Sequence, residues 1–529
     1  MIHGNNRIGY HLSALGNQKF NAFNPSAGVG FPEEFYVATD EEVNLALEKA
    51  TKAFEVYSKI PGKIKAEFLR MIAEEIMRLG DILIKTAVGE SGLPEARIIG
   101  ERGRTTGQIN LFANLIGEGS WVDAHIDTAQ PDRQPVPKPD LRSMLVPVGS
   151  VVVFSASNFP LAFSTAGGDT VSALAAGNPV IVKAHPSHPA TNLLVSEAIN
   201  AAAKRTGMPD GVFSTLYSNT YELGLSLVKH PQTKSVAFTG SFSGGMALYK
   251  AAREREEPIP VFTEMGSVNP VILLPEKLKN EASNVAKTIA GSITTGAGQF
   301  CTNPGLMASI KDENLDVFLS ELSDEIGTIG GQTMLNAGIF DSYTTKKADA
   351  LKEKGVKLIA GTQKGENIKL KAFPAVATVE YSDFVKNPNL HEEIFGPFSL
   401  LVMCQNEQEL QSFAKNLRGQ LTITVFADEK DLSAGKELLN ILERKAGRLI
   451  FNGAPTGVEV CPSMQHGGPF PASTDSRFTS VGTGAIRRFV RPVAYQNIPE
   501  VLLPEELQSS NPLQIWRKVN GELTKASIT

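Results

Sequence analysis

The sequence predicts an α/β protein built from two large lobes. Its 529 residues exceed what one simple hydrophobic core usually organises, so two lobes with smaller appendages are expected. Two separate stretches of the chain, one starting at Val151 and one near Met265, alternate strand-like and helical segments. Such alternation is typical of parallel strands that are joined by crossover helices.

Two amphipathic helices are expected before the first alternating stretch. Residues Asp40 to Lys59 and Ile64 to Arg78 space their apolar side chains along one helical face and carry charges on the other, so we expect both to pack on a sheet. The segment Thr128 to Gly149 is rich in proline, which limits regular helix. We interpret this segment as an excursion from the first lobe.

The strands expected in the two lobes are short and apolar. In the first lobe, a nucleotide-binding type of α/β sheet, they are Val151 to Ser155, Pro179 to Lys183, Val212 to Tyr217 and Ser235 to Thr239. In the second lobe, Pro270 to Leu274 and Leu421 to Phe426 are the expected strands, and Ala282 to Ser292 is an expected helix.

Composition argues against several classes of partner. With Lys+Arg 51 against Asp+Glu 56 the net charge is −5, so no basic surface for nucleic acid is indicated. Cys301, Cys404 and Cys461 form no CxxC pair, so neither a zinc site nor a disulfide framework is predicted. The N-terminal residues lack an apolar signal core, and no segment approaches about 18 uninterrupted apolar residues. We therefore expect no membrane span and a cytoplasmic location.

Cys301 is the candidate nucleophile. It lies in the segment Gly298-Gln299-Phe300-Cys301-Thr302-Asn303-Pro304-Gly305, where small and turn-forming residues can present a sulfur to a substrate. A thiolate attacks carbonyl carbon, and we expect a positive dipole or a water-poor pocket to lower the thiol pKa toward the working pH. The alternative is a small buried hydrophobic residue, since free cysteine is often buried.

Two further segments supply the other parts of acyl chemistry. Glu264 ends an apolar run and is a candidate base, although most acids at such places are helix caps or solvated turn residues. Asn158 follows the first strand of the first lobe and is a candidate amide donor, although asparagine before Phe159-Pro160 is often turn chemistry. With Cys301 they complete the nucleophile, base and donor of a thioester route. The base from one lobe and the nucleophile from the other would meet across a cleft.

Six short motifs occur in order along the chain. They are Ser157-Asn158-Phe159-Pro160, Val182-Lys183, Phe238-Thr239-Gly240-Ser241, Glu264-Met265-Gly266, Gln299-Phe300-Cys301 and Glu392-Glu393-Ile394-Phe395-Gly396-Pro397. On these motifs the chain resembles the aldehyde dehydrogenase superfamily along nearly its whole length. The segments Asn452 to Val460, His466-Gly467-Gly468-Pro469, Arg477 to Val481 and Arg491 to Gln496 are similar to the branch that oxidises 2-oxoglutarate semialdehyde, which is 2,5-dioxopentanoate.

The resemblance implies an aldehyde dehydrogenase-like organisation of two Rossmann-like lobes and a small β oligomerisation flap. Residues 1–127 and 150–265 would form the cofactor-binding domain, and residues 266–484 the catalytic domain. Residues 128–149 and 485–496, the latter with a strand near Ile486 to Val493, would form the flap. Its unpaired edge favours a homo-oligomer, either a dimer or a tetramer. The tail, residues 497–529, is expected only to pack on the surface.

The cofactor site lacks the usual motifs, since no GxGxxG fingerprint and no Walker sequence occurs. The turn from Gly240 to Gly245 joins a strand to a helix and is compatible with a phosphate cradle or with close helix packing. The resemblance implies a set of cofactor residues, namely Ser241 with Gly240 and Gly245 at the pyrophosphate, Lys183 at the adenosine ribose, Glu393 at the nicotinamide ribose and Phe395 beside the ring.

The expected cofactor is NADP, with NAD left open. The NAD-preferring pattern carries an acid three residues after the lysine; here that position is Pro186, so repulsion toward a 2′-phosphate is absent. Polar or basic groups nearby are Lys183, His185, Ser187 and His188. His185 and His188 could form a metal pair, but the sequence offers no third ligand, so no metal is predicted.

The expected reaction is oxidation of an aldehyde to a carboxylic acid. Cys301 would attack the aldehyde carbon, with the oxyanion held by the Asn158 amide and the Cys301 backbone N–H. After hydride transfer to the nicotinamide, Glu264 would activate water to hydrolyse the thioester. The related enzymes that form acyl-CoA usually lack this acid, so Glu264 favours water as the acceptor.

The substrate is left open between alternatives. A 2-oxo-dicarboxylic semialdehyde needs a cationic or hydroxyl-rich clamp, for which the unassigned candidates are Arg102, Arg104, Ser164 and Arg477. A broad medium-chain or fatty aldehyde dehydrogenase would need an apolar tunnel instead. A non-catalytic binding protein of the same fold is disfavoured because Cys301, Glu264 and Asn158 are all present.

Overall fold

The first lobe is organised around a seven-stranded sheet. The structure, a computed structural model, describes residues 2–361 and 370–528. Five parallel strands are followed by two antiparallel ones at one edge. In sheet order the strands are Val261–Glu264, Ser235–Thr239, Val151–Phe154, Val180–Lys183, Phe213–Leu216, Asn6–Ile8 and His11–Ser13. The four strands predicted for this lobe are confirmed and lie side by side.

The helices of the first lobe begin with Asp40–Tyr57. Its first turn is closed by a capping box, in which Thr39 and Glu42 each satisfy the other's main-chain N–H. Its apolar face packs on the sheet, as expected. The second predicted helix, Gly62–Arg78, packs mainly against the helices Glu95–Glu118 and Pro189–Arg205. The remaining helices of this lobe are Gly80–Ser91, Gly168–Ala176, Glu222–Lys229 and Phe242–Arg253.

The second lobe contains another seven-stranded sheet, parallel except for one edge strand. Its strands are, in order, Lys357–Gly361, Ala375–Glu380, Phe398–Cys404, Leu306–Ile310, Val271–Leu273, Gln420–Phe426 and Ala446–Phe451. The helices are Pro275–Thr294, Glu313–Gly327, Ala337–Lys352, Tyr381–Phe384, Glu407–Asn416 and Leu432–Leu442. Two short antiparallel pairs lie outside the main sheets, Lys19–Asn24 with Val29–Tyr36 and Gln332–Thr333 with Lys371–Ala372.

A third sheet of five strands is larger than the predicted flap. Its strands are, in order, Val490–Gln496, Leu141–Pro147, His125–Asp127, Arg517–Val519 and Glu522–Thr524. The first two pair antiparallel, which joins the two segments assigned to the flap. The tail therefore does more than pack on the surface, because its hairpin extends this sheet and Ile515 is buried with Ile126.

The late strand begins at Val490, so the expectation of a strand from Ile486 is wrong at its start. Residues Thr483–Phe489 form a 3-10 helix, because Ile486 and Phe489 lie one turn apart and are both buried in the core of the first lobe. The buried Arg488 guanidinium also forms an ion pair with Asp169 at 2.7 Å.

The lobes are joined where the chain returns along residues 472–474. Met265 N donates to Ala472 O at 2.8 Å, and Glu264 forms an antiparallel bridge with Ser473. This returning segment therefore lies along the edge strand Val261–Glu264, at whose C-terminal end the candidate base is placed. No helix within the described ranges combines the length and apolarity needed to cross a membrane.

Candidate active site

The main chain around Cys301 is fixed by a tight turn and by one asparagine. Gly296 and Gly298 have φ of 58° and 65°, left-handed conformations that glycine adopts without strain. Asn269 Nδ2 donates to Cys301 O at 2.8 Å and to Asn303 O at 2.9 Å. The thiol is thus presented on a held loop, and its residue is partly exposed. Asn269 was not among the predicted site residues.

Glu264 lies in a cluster with Cys301 and with a histidine that the sequence had not assigned. The carboxyl group is buried, and its Oε1 lies 2.9 Å from His466 Nε2. Ser480 Oγ donates to the other carboxylate oxygen at 2.9 Å. The same imidazole nitrogen lies 3.4 Å from Cys301 Sγ. Thiol, imidazole and carboxylate therefore meet at one place, with one atom from each within 4.8 Å of the others.

From the sequence, His466 stands out only as the first residue of the motif His466-Gly467-Gly468-Pro469. The available signal was a titratable side chain beside Gly467 and Gly468, a pair that allows close approach of the backbone. Without coordinates, nothing related it to Glu264, which is 202 positions earlier. The returning segment 472–474 explains the meeting, because it pairs with the strand that carries Glu264 and His466 lies only a few residues before it.

The protonation states of this cluster differ from the expectation for a reactive cysteine. Burial, and then the negative charge of Glu264, raises the pKa of the Cys301 thiol well above its ordinary value. Burial would raise the pKa of Glu264 too, but His466, Cys301 and Ser480 together hold it below the ordinary value. The expectation of a lowered thiol pKa is wrong for the resting site, because a water-poor pocket beside a carboxylate disfavours a second negative charge. Cys301 therefore rests as a thiol beside an ionised Glu264 carboxylate.

Asn158 is held beside the cysteine loop. Its side chain is 8% exposed, and its Nδ2 donates to Gln299 O, two residues before the nucleophile, at 3.1 Å. One of the two amide N–H groups is therefore engaged, and the other remains for a substrate oxygen. This arrangement suits the predicted role as an oxyanion donor.

Arg97 fixes the backbone of Asn158 and was not predicted. Its Nη2 donates to Asn158 O at 2.8 Å. The guanidinium lies between the rings of Phe159 and Phe300, 4.9 and 4.5 Å from their centroids. Two cation–π contacts and a charged hydrogen bond restrict the loop that carries the amide.

A cleft of about 280 Å³ between the lobes contains two of the predicted cofactor residues, Ser241 and Glu393. Ser241 begins the helix Phe242–Arg253, and its Oγ accepts from Gly244 N at 3.2 Å. Glu393 accepts from the Ser267 main chain, and burial raises its pKa to about 7. A helix N-terminus suits a phosphate, and a buried carboxylate suits ribose hydroxyls. The donors and acceptors in this cleft therefore fit a dinucleotide.

The comparisons with known proteins agree with this geometry. The chain matches the aldehyde dehydrogenase family over residues 13–471. It belongs to that family. It is therefore an NAD(P)-dependent aldehyde dehydrogenase.

Two curated relatives cover nearly the whole enzyme. An alpha-ketoglutaric semialdehyde dehydrogenase of Acinetobacter baylyi is 49% identical over 492 residues, 93% of each chain. Alpha-ketoglutaric semialdehyde dehydrogenase 2 of Azospirillum brasilense is 48% identical over 516 residues, 97% of this chain and 98% of that one.

Solved structures share the fold at lower identity. A 1-pyrroline-5-carboxylate dehydrogenase from Thermus with bound NAD has a TM-score of 0.79 at 24% identity, covering 94% of this chain and 93% of that one. An apo betaine aldehyde dehydrogenase from Staphylococcus aureus has a TM-score of 0.80 at 20% identity, covering 95% and 97%. The predicted α/β fold of two Rossmann-like lobes is confirmed.

Two predicted cofactor glycines have a packing explanation in this enzyme. A Cβ atom at Gly245 would contact the Met265 side chain, and one at Gly240 would contact the Phe238 ring. Close packing, the alternative left open by the sequence, therefore accounts for both, and their contact with a cofactor stays a prediction. Phe395 is half-buried two residues after Glu393, and its role beside a nicotinamide ring also stays a prediction.

The surroundings of Lys183 are less basic than the sequence suggested. Its Nζ donates to Ser218 O at 2.9 Å, and burial lowers its pKa to about 8. The His185 and His188 rings stack with centroids 5.5 Å apart, and burial lowers the pKa of both, that of His188 to about 3. Ser187 Oγ accepts from the Asn336 side chain at 3.0 Å. The two histidines are therefore neutral groups at pH 7, and a contact of Lys183 with a cofactor stays a prediction.

Three of the four clamp candidates already bind other groups of the protein. Their groups are engaged elsewhere: Arg102 Nη1 donates to Gly80 O, Ser164 Oγ donates to the Asn192 side chain, and the exposed Arg477 pairs with Asp475. The fourth, Arg104, lies over the Phe163 ring at 5.1 Å from its centroid. Phe163 in turn contacts the His466 ring, with centroids 6.0 Å apart.

Proposed function

We propose that the enzyme oxidises 2,5-dioxopentanoate to 2-oxoglutarate through a Cys301 thioester that water hydrolyses. The meeting of Cys301, His466 and Glu264 supports this chemistry, since it places a nucleophile beside a buried, ionised base. The names of the two relatives at 48% and 49% identity support the substrate.

The first step is activation of the thiol. Because Cys301 rests protonated, Glu264 takes its proton, and the thiolate that forms accepts a hydrogen bond from His466 Nε2, 3.4 Å away. The thiolate attacks the aldehyde carbon, and the free N–H of Asn158 receives the developing oxyanion. One such donor contributes about 2.7 to 4 kcal/mol to the transition state.

The second step is release of the acid. NAD(P), when bound, supplies the hydride acceptor, and the residues that would hold it are Ser241, Glu393 and Lys183. Once it has returned its proton to solvent, Glu264 removes a proton from water, which attacks the thioester carbon and expels the Cys301 sulfur. General base catalysis of this kind contributes about 10²- to 10⁴-fold.

Variants of the cluster test this route. Cys301→Ala abolishes aldehyde oxidation. Cys461→Ala, at the other partly exposed cysteine, still oxidises the aldehyde and is still inactivated by iodoacetamide. Glu264→Gln lowers acid formation by about 10²-fold or more. Acid formation at full rate in Glu264→Gln, with none in Cys301→Ala, would remove Glu264 from the mechanism.

A fatty aldehyde dehydrogenase is the second candidate, because an apolar cluster adjoins the site. Phe163, Ala156, Ala162 and Val481 are buried together, and partly buried apolar groups packed against them include Phe159, Val458, Val460 and Met464. Turnover of 2,5-dioxopentanoate and hexanal by the same preparation separates the two candidates. A higher kcat/KM for hexanal would favour the fatty aldehyde. If neither these two aldehydes nor any other gave iodoacetamide-sensitive NAD(P)H formation, the alternative of a non-catalytic binding protein would be favoured.

We further propose NADP as the preferred cofactor, since Pro186 stands where an acid would repel a 2′-phosphate. A homo-oligomer, dimer or tetramer, is proposed because the five-stranded sheet leaves Val490–Gln496 as an edge strand. The cytoplasm is the proposed location, which suits the three cysteines that remain free. Size-exclusion chromatography with light scattering tests the assembly.

A further inference from the structure

We propose that Arg104 is the residue that binds the distal carboxylate of the substrate, and so sets the preference for an aldehyde that carries an acid group. This inference rests on the proposed function and names the residue responsible for its substrate class. Arg104 lies on the helix Glu95–Glu118, on the same face as Arg97, two turns earlier.

Arg104 has a guanidinium nitrogen that the described part of the chain leaves without a hydrogen bond. Its Nη1 is buried without a hydrogen-bond partner among those residues. A guanidinium has five N–H donors, and leaving one buried and unpaired costs free energy unless a ligand satisfies it. Glu101, one turn earlier, is the main opposite charge acting on Arg104, but its Oε1 accepts from Leu161 N and Ala162 N, and its Oε2 accepts no hydrogen bond from Arg104 among the described residues.

The position of Arg104 suits a substrate whose aldehyde is at Cys301. One aromatic ring, Phe163, separates the guanidinium from His466. Its positive charge also acts on the thiol, since Arg104 opposes the rise in the Cys301 pKa. The cation therefore lies within electrostatic reach of the nucleophile. The apolar wall at Phe163 would contact the carbon chain, while Arg104 receives the carboxylate at its far end.

The other two arginines near the site donate hydrogen bonds to main-chain carbonyl groups. Arg97 Nη2 donates to Asn158 O, and its Nη1 faces the backbone at Gly296, where a Cβ atom would collide with it. Arg448 Nη1 and Nη2 donate to Gly457 O and Pro455 O at 3.0 and 2.9 Å. Each of these two side chains also has one buried nitrogen without a partner among the described residues, but both hold loops of the site through their other nitrogens. Arg104 makes no such main-chain bond within the described ranges, so we assign the anion to it.

The test compares two aldehydes of the same length, 2,5-dioxopentanoate and pentanal, in wild type, Arg104→Met and Arg104→Lys. In Arg104→Met we expect kcat/KM for 2,5-dioxopentanoate to fall about 10- to 100-fold, chiefly through KM, as lost charged hydrogen bonds predict. Pentanal, which has no carboxylate, should lose less, so the ratio of the two kcat/KM values should fall. Arg104→Lys keeps the charge without the planar fork and should recover part of the loss; it also serves if the methionine variant does not fold.

Arg102→Met is the matched control, since Arg102 is on the same helix and contacts Gly80 instead. It should keep the wild-type ratio of the two kcat/KM values. Weaker competitive inhibition of pentanal oxidation by 2-oxoglutarate in Arg104→Met supplies a second readout of carboxylate binding.

The outcomes separate the inference from the proposed function. Equal losses for both aldehydes, or no loss for either, would show that Arg104 is structural and would overturn the assignment while the proposed substrate stands. If the wild type itself does not prefer 2,5-dioxopentanoate to pentanal, the proposed substrate fails and the assignment fails with it.

Discussion

Replacing His466 by alanine tests the protonation states proposed for the reactive cluster. The His466 and Glu264 side chains are 1% and 3% exposed and 2.9 Å apart, so solvent neither screens nor replaces their hydrogen bond. A hydrogen bond to a buried charge contributes about 1.5 to 3 kcal/mol. Each pKa unit corresponds to about 1.4 kcal/mol, so the loss raises the pKa of Glu264 by about one to two.

The sign of the effect follows from the role of Glu264 as a base. The carboxylate must be ionised to accept a proton, so activity is lost as pH falls through its pKa. In His466→Ala, burial still raises the Glu264 pKa but the imidazole no longer lowers it. The acid limb of the kcat/KM profile therefore moves up by about one to two pH units. Iodoacetamide alkylation of Cys301 slows in parallel, because the thiolate loses a donor.

The assay is initial NAD(P)H formation across the pH range, with thermal unfolding to confirm that the variant folds. His466→Gln, which keeps a side-chain N–H donor, should show a smaller displacement, and Ser480→Ala should show one of about half the size, because a neutral hydroxyl contributes about 1 kcal/mol. An acid limb that stays in place in His466→Ala would refute the reasoning, whatever the rate.

Three further predictions concern the loop and the cofactor. Asn269→Ala lowers kcat by about tenfold or more while KM changes little. The reason is that the hydrogen bonds from Asn269 to Cys301 O and Asn303 O position the nucleophile rather than the substrate. Stopped-flow turnover measures both constants. The Glu393 pKa is about 7, so its carboxylate ionises as pH rises through that value and then accepts hydrogen bonds from ribose hydroxyls more strongly. Fluorescence titration should therefore show NAD(P) affinity rising near pH 7 in the wild type. The affinity of Glu393→Gln should show no such rise. Pro186→Glu shifts the ratio of kcat/KM for NADP to that for NAD by about tenfold in favour of NAD, because the new carboxylate repels the 2′-phosphate. An unchanged ratio would show that the 2′-phosphate does not lie near position 186.

The sequence was sufficient for the strands of both lobes because their signals are local. An apolar run such as Val151–Phe154, bounded by turn residues, is buried on both sides wherever it lies in a parallel sheet. Cys301 and Glu264 could be selected in the same way, from their places beside turns and from the family motifs. The ends of elements were less predictable, as Thr483–Phe489 shows, because burial against the first lobe decides its conformation.

The parts that could not be predicted depend on contacts between distant segments. His466 acquires its role from Glu264, and Arg97 from Asn158 and two aromatic rings, so neither has a local signature. The rise in the Cys301 pKa is likewise a property of burial and of a neighbouring carboxylate. The pairing of the tail hairpin with His125–Asp127 joins residues almost 400 positions apart, which no periodicity indicates.

The main-chain bonds between the returning segment 472–474 and the edge strand Val261–Glu264 limit how this enzyme can admit its ligands. A hinge that separated the lobes here would have to break the bond from Met265 to Ala472 and move the imidazole away from the carboxylate it orients. Entry and exit must therefore proceed by movement of side chains and loops at the rim. We expect the hydrogen bond between His466 and Glu264 to be kept as ligands enter and leave.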